Sequence, residues 1–152
     1  MISKRVRDLA PYKTETTGAK VRLSSNELSL QLPEEVKRRI GKEVSRIPFN
    51  RYPDPEAKEL REVIALRSGV SPENIVLGNG SDELIYYLSI AVGEFDRGVL
   101  YPVPTFSMYG ISARMLGRER IESGLDEDFD IDLPASLEII RKKKPALAYF
   151  AY

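Results

Sequence analysis

The chain has 152 residues, of which 42% are hydrophobic and 30% are charged, as is usual for a globular domain with its own core. Lysine plus arginine and aspartate plus glutamate number 23 each, so the charge gives no indication of a nucleic-acid or membrane partner. The sequence lacks cysteine and histidine, which excludes disulfides, thiol nucleophiles, Ser-His-Asp triads and most zinc sites. An enzyme built on this chain would therefore depend on a cofactor.

Residues 1–31 are polar and irregular, and we expect them to form an N-terminal arm with a short extended piece at residues 21–23. The beginning of the chain lacks the apolar stretch of a signal peptide, and no apolar run approaches the length of a membrane-spanning helix. We therefore expect a cytoplasmic protein.

Two amphipathic helices are predicted next. Apolar residues recur at helical spacing from Pro33 to about Arg46, and proline suits the first helical position. A second helical pattern ends at Gly69. Between the two, three prolines within residues 48–55 predict an exposed loop.

Residues 75–93 predict a strand, a glycine turn and a helix. Ile75–Leu77 is the strand, Gly78–Glu83 is the turn, and the helix runs from Ser81, its N-cap, to near Gly93. The helix is apolar on all sides, so we expect it to be buried. Glycines let a backbone approach a ligand closely, and the first amides of a helix attract anions. The turn indicates a phosphate site, although a tight connection between strand and helix gives the same pattern.

The rest of the chain repeats the alternation of strand and helix. The predicted elements are a strand at 98–101, a bend at 102–104, a helix from about 105 to 116 closed by Gly117, a strand at 118–123, a helix at 134–143 and a strand at 146–150. This order predicts an α/β layered fold with a largely parallel sheet. Because the last strand leads directly to Tyr152 without a covering helix, we expect the chain to be the front part of a longer protein.

Four segments, taken in order, resemble motifs of the histidinol-phosphate aminotransferase family: Asn26-Glu27, Arg51–Pro55, Leu77–Glu83 and Pro102–Tyr109. The resemblance implies a fold type I enzyme with pyridoxal 5′-phosphate as cofactor and a three-layer α/β/α architecture around a mostly parallel sheet. It further implies that residues 1–31 are the arm and residues 32–152 the first part of the large cofactor-binding domain. The implied reaction is transamination between glutamate and imidazole acetol phosphate in histidine biosynthesis, carried out by a homodimer.

The same resemblance implies roles for five residues at the cofactor. Gly80, Ser81 and Asp82 would bind its phosphate, and Tyr109 would stack on its pyridine ring. Tyr52 would reach the cofactor phosphate of the partner subunit. From the residues alone, Tyr109 is better explained as a core aromatic, since buried aromatic side chains mostly serve packing.

At the substrate, the resemblance implies that Asn26 and Glu27 line the pocket, although Leu28 and Ser29 depart from the Asn-Pro that follows in the family. The Schiff-base lysine and the substrate-binding arginines of the family have no match within residues 1–152, so we do not expect this chain alone to transaminate. An aromatic-amino-acid aminotransferase or a threonine-phosphate decarboxylase of the same fold therefore remains an alternative. A non-catalytic phosphate-binding α/β unit is the alternative from another class.

The alternating carboxylates at residues 126–132 resemble a calcium loop, but the turn glycine and the distal glutamate of such loops are missing. We interpret them as a polar loop in which Asp132 caps the following helix, and we assign no metal.

Overall fold

The computed structural model describes residues 2–7, 9, 18, 20–21, 23 and 26–151, so the extended piece expected at 21–23 lies partly outside the described residues. The chain divides into two compact units, Met1–Pro11 with Val76–Tyr152, and Tyr12–Ile75. The helices are α1 Lys4–Arg7, α2 Glu34–Val44, α3 Lys58–Ser68, α4 Gly80–Ala91, α5 Met108–Leu116 and α6 Leu133–Lys143. The strands are β1 Val99–Val103, β2 Arg120–Gly124 and β3 Leu147–Ala148.

The described strands form one parallel sheet in the order β2-β1-β3, which confirms the predicted alternation of strands and helices. Strand β1 pairs with β2 from Val99↔Arg120 to Val103↔Gly124, and with β3 through Val99 and Leu100. Val99, Leu100 and Tyr101 are buried, as expected for a central parallel strand covered on both faces. Helix α5 packs against β1 and α4, and this packing forms the core of the unit.

The predicted bend at 102–104 begins later than expected, because β1 continues through Pro102 to Val103 and the backbone bends at Pro104 and Thr105. The nitrogen of Val99 donates to Glu119 on the β2 side, and donors alternate along a strand, so the nitrogen of Pro102 faces β3. The β3 ladder has already ended at Leu100↔Ala148. The missing N–H therefore removes no ladder hydrogen bond, which is why proline is accepted in this central strand.

The predicted strand at Ile75–Leu77 is not formed in the part of the chain that the structure describes. Ile75 is extended, with φ −106° and ψ 124°, but the segment pairs with none of the three described strands. A strand is stabilised by a neighbour that satisfies its backbone donors and acceptors. Without one here, these residues form an extended connection into the glycine turn.

The prediction that α4 is buried all round is also wrong. Ile85 and Ser89 are buried, whereas Tyr87, Leu88 and Ile90 are 41–47% exposed. Only one face of the helix packs on α5 among the described residues. The helix begins one residue before the predicted N-cap Ser81, so that Asn79 occupies the cap position instead.

In the second unit, helix α2 confirms the helix predicted from Pro33, which takes the N-cap position. Its apolar stripe is not buried, however, with Val36, Ile40 and Val44 between 37% and 49% exposed. Helix α3 ends at Gly69 in the left-handed conformation, φ 67°, as predicted. The loop between the helices is exposed as expected, and the Asp54 carboxylate in it accepts hydrogen bonds from the amides of residues 56 and 58.

In the unit that contains the sheet, the end of α5 and the start of α6 are where the sequence predicts them. Helix α5 closes at Gly117 with φ 74°, and α6 begins after Asp132, whose carboxylate accepts a hydrogen bond of 2.9 Å from the amide of Ala135. In the acidic loop before α6, Asp126 Oδ1 accepts from the amides of residues 128 and 130. The carboxylate of Asp126 therefore stabilises the loop itself.

The last strand is shorter than the predicted 146–150, because only Leu147 and Ala148 form a ladder with β1.

Candidate functional site

The turn at the start of α4 is closed by its own backbone and by Glu83. Asn79, at φ −79° and ψ 74°, forms an inverse γ-turn in which the amide of Gly80 donates to the Gly78 carbonyl at 3.0 Å. The Glu83 carboxylate accepts from the Asn79 amide at 2.5 Å and from the Tyr87 hydroxyl at 2.8 Å. These two bonds, the first above all, lower the pKa of Glu83 below its usual 4.5. The ionised carboxylate therefore holds the turn in shape.

Beyond this closed turn, the start of α4 is open. Gly80 has φ +82°, a conformation that favours glycine, and a Cβ added there would meet no atom within 4 Å. Within the described residues, the amides of Ser81 and Asp82 have no backbone acceptor, and both residues are exposed. These two amides and the Ser81 hydroxyl form an open cradle suited to a tetrahedral oxyanion.

Within α4, the positive potential at this cradle comes from the backbone alone. Helix α4 carries Asp82 and Glu83 in its first turn and contains no lysine or arginine. The helix dipole contributes roughly half a positive charge at this end. A bound dianion would therefore draw the rest of its charge compensation from residues outside α4.

Tyr109, near the start of α5, lies in a cluster of aromatic rings. Its ring stacks on that of Tyr149 with centroids 4.6 Å apart and an interplanar angle of 8°. Phe106 meets it edge-on at 5.7 Å and 88°, and Tyr101 lies at 6.4 Å. Aromatic pairs favour offset-stacked and edge-to-face arrangements such as these. One face of the Tyr109 ring is thus covered by Tyr149.

Tyr149 also links this cluster to α4. Its hydroxyl donates to the Ile85 carbonyl at 2.9 Å and lies 3.1 Å from Ser89 Oγ, while its amide donates to the Leu100 carbonyl at 2.9 Å. Burial, chiefly, raises the pKa of its phenol. The sequence analysis missed Tyr149, and the only signal was a polar aromatic residue in an otherwise apolar strand.

A cavity of about 400 Å³ opens at the carboxyl end of the sheet. Residues that follow each strand line it: Pro104 and Thr105 after β1, Leu125 after β2 and Ala151 after β3. In α/β sheets, ligands bind at this edge, and a volume of this size suits a small molecule.

The structure brings part of the expected site together. Gly80, Ser81 and Asp82 on α4 and Tyr109 on α5 belong to the same unit, and the two helices pack against each other. The remaining expected residues belong to the second unit. Tyr52 is 101% exposed, while Asn26, in the left-handed region at φ 51°, and Glu27 are also exposed.

None of the helices in the described part of the chain has the length and apolar character needed to cross a membrane.

Comparison with known proteins identifies the family whose model the chain matches and shows relatives of high sequence identity. The model of the family "Aminotransferase class I and II" matches residues 19–148. The chain is 60% identical over 152 residues to a histidinol-phosphate aminotransferase of Aquifex aeolicus and 45% identical over 151 residues to one of Hydrogenobaculum sp.. These matches cover 100% and 99% of the chain but only 43% of each relative, so the chain spans less than half the length of these proteins.

Solved structures show the same fold. A histidinol-phosphate aminotransferase from Sinorhizobium meliloti, in complex with pyridoxal-5′-phosphate, matches with a TM-score of 0.81 at 20% identity, over 98% of this chain and 41% of that one. An aspartate aminotransferase from Thermotoga maritima matches with a TM-score of 0.71 at 21% identity, over 91% of this chain and 42% of that one. The predicted fold type I architecture is confirmed for the portion that this chain represents.

Proposed function

The chain belongs to the class I and II aminotransferase family, and from this premise we propose that the protein transfers an amino group with pyridoxal 5′-phosphate as cofactor. The reaction we propose is transamination between glutamate and imidazole acetol phosphate, which gives histidinol phosphate. Its support is the identity of 60% and 45% to two histidinol-phosphate aminotransferases. Because the chain covers 43% of these relatives, the activity is proposed for the longer protein of which this chain is a part.

The observations that carry the proposal are the open start of α4 and the fixed ring of Tyr109 on α5, the helix that packs against α4. The amides of Ser81 and Asp82 and the Ser81 hydroxyl would hold the cofactor phosphate, and Gly80 would leave it room. Tyr109 would cover one face of the pyridine ring. When bound, the cofactor supplies an electron sink for bond breaking at the α-carbon of the substrate. The part played by these residues of the chain is to bind and orient it.

The second unit would complete the site from a partner subunit. Tyr52 lies on the exposed loop between α2 and α3 and is fully exposed, as expected of a side chain that reaches another subunit. We propose that it binds the cofactor phosphate of the partner subunit in a cytoplasmic homodimer. We further propose that residues 1–31 act as an arm that brings Asn26 and Glu27 to the substrate, and that residues 32–152 begin the large domain.

The phosphate site is tested by comparing pyridoxal phosphate with pyridoxal, which lacks the phosphate. In the full-length protein, Ser81→Ala removes one hydrogen bond to a charged group, worth about 1.5–3 kcal/mol, so we expect roughly ten- to hundredfold weaker binding of pyridoxal phosphate. Pyridoxal binding should be unchanged. Ser68→Ala, on the exposed surface of α3, is the matched control and should bind both compounds like the parent protein. Equal losses for both compounds in Ser81→Ala would contradict the proposed phosphate site.

The substrate is tested in the same protein by following the 2-oxoglutarate formed from glutamate. We expect imidazole acetol phosphate to be the preferred amino acceptor over aromatic 2-oxo acids, with no carbon dioxide released from O-phosphothreonine. A preference for an aromatic acceptor, or decarboxylation, would assign the protein to one of the sister activities of this fold. Turnover of none of these substrates by a protein loaded with the cofactor would contradict the proposed reaction.

A further inference from the structure

Tyr149 occupies a position between the two parts of the proposed cofactor site. Its ring lies flat on that of Tyr109, and its hydroxyl is bonded to the α4 residues Ile85 and Ser89. Its amide is bonded to Leu100 of the central strand. The side chain is therefore fixed at both ends, and it is the only ring stacked face to face on Tyr109 among the described residues.

We propose that Tyr149 is a positioning residue, which holds the ring of Tyr109 from behind so that the opposite face is presented to the pyridine ring of the cofactor. This inference rests on the proposed function. Rotation of the Tyr109 ring would break the stack with Tyr149 and the edge contact with Phe106, so the two neighbours favour a single orientation. A ring already fixed in its binding orientation loses little conformational entropy when the ligand binds.

The hydroxyl of Tyr149 also links the ring of Tyr109 to helix α4. Ile85 lies one turn along the helix from Ser81 and Asp82, whose amides form the phosphate cradle. Tyr149 thereby connects the phosphate cradle to the ring platform through one side chain. The spacing between phosphate and pyridine ring is fixed within the cofactor, so a site that holds both parts benefits from a fixed spacing of its own.

The test uses Tyr149→Leu and Tyr149→Phe in the full-length protein loaded with pyridoxal phosphate. We expect Tyr149→Leu, which removes the ring, to release the cofactor about two- to tenfold faster, in line with the strength of an aromatic pair. We also expect it to weaken the circular dichroism of the visible cofactor band, which reports how the bound ring is held. Tyr149→Phe keeps the stack but loses the hydroxyl bonds to α4, so its release rate and dichroism should fall between those of Tyr149→Leu and the parent protein.

Ser89→Ala serves as a control, because it shows whether losing a buried hydrogen bond near Tyr149 is by itself enough to change cofactor binding. This variant removes one partner of the Tyr149 hydroxyl and leaves the ring in place, so its cofactor band and release rate should match those of the parent protein. A second check is a double-mutant cycle, because Tyr149→Leu should add little to the effect of Tyr109→Leu if it acts through that ring. Tyr149→Met takes the place of the leucine variant if the latter does not fold.

The experiments distinguish a wrong proposed function from a wrong role for Tyr149. If the parent protein does not bind pyridoxal phosphate, the proposed function is wrong. If the parent protein binds it and Tyr149→Leu has the release rate and dichroism of Tyr149→Phe, only the positioning role is wrong. Additive effects of Tyr109→Leu and Tyr149→Leu would also overturn that role.

Discussion

Replacing Arg118 by leucine removes the buried cation that holds the loop after α4 in place. Arg118 is 4% exposed. Its guanidinium donates through Nη1 to the carbonyls of Glu94 and Arg97, at 2.8 and 3.0 Å. Through Nη2 it donates to the carbonyls of Val92 and Gly93, at 2.8 and 3.0 Å. It thus satisfies carbonyls at the C-terminal end of α4, where the helix dipole favours a cation.

The expected loss follows from these contacts and their exposure. Each hydrogen bond to a charged group contributes about 1.5–3 kcal/mol, and a cation near an aromatic face adds about 0.5–1 kcal/mol. The guanidinium carbon lies 4.6 Å from the centre of the Phe95 ring. Three of the residues whose carbonyls accept these bonds are exposed, so water can replace the guanidinium at most of them. We therefore expect a loss of about 2–4 kcal/mol in the free energy of unfolding, well below the sum of the single bonds.

Urea unfolding of the full-length protein, followed by circular dichroism, measures this loss. Arg118→Lys keeps the charge but has a single nitrogen with three donors, so it should fall between leucine and the parent protein. Arg38→Leu, on the exposed surface of α2, is the control and should change the free energy of unfolding by less than about 0.5 kcal/mol. A leucine variant as stable as this control would refute the reasoning.

Three further predictions test other parts of the fold. A Cβ at Gly110 would lie 2.5 Å from the Tyr101 hydroxyl oxygen, so Gly110→Ala should lower the melting temperature. Adding Tyr101→Phe removes this oxygen and should restore part of the lost melting temperature. A double variant that melts no higher than Gly110→Ala would contradict this prediction. Asp132→Ala removes the α6 cap and should cost about 1 kcal/mol in urea unfolding, whereas Asp132→Asn should cost less. The Glu83 carboxylate has a lowered pKa, so its stabilising effect relative to Glu83→Gln should be present above pH 4.5 and disappear as the pH falls through the folded-state pKa; a difference unaffected by pH would refute this.

Local signals in the sequence were enough to predict helices α2 to α6 and the parallel sheet, but not the short helix α1, which lies in the arm expected to be irregular. Gly69 and Gly117 end their helices with the expected positive φ, and Asp132 caps α6 through its own carboxylate. These features depend on a few neighbouring residues and on the conformational freedom of glycine, so they do not require knowledge of the tertiary contacts. The glycine turn before α4 was recognised for the same reason.

Features that depend on distant partners were not predictable in this way. Whether Pro102 can sit in a strand depends on where the β3 ladder ends, and whether Ile75–Leu77 forms a strand depends on a neighbour that the sequence pattern does not identify. The contacts of Tyr149 and Arg118 cross more than twenty residues of sequence, from 149 to 85 and from 118 to 92. Neither position carries a periodic or motif signal, so only the folded chain shows their roles.

The central claim is that the start of α4 holds the cofactor phosphate, and a crystal structure of the full-length protein with pyridoxal phosphate tests it most directly. We expect phosphate oxygens within about 2.7–3.2 Å of the amide nitrogens of Ser81 and Asp82. The pyridine ring should lie on the face of Tyr109 opposite Tyr149. A cofactor whose phosphate lies away from these two amides would contradict the account.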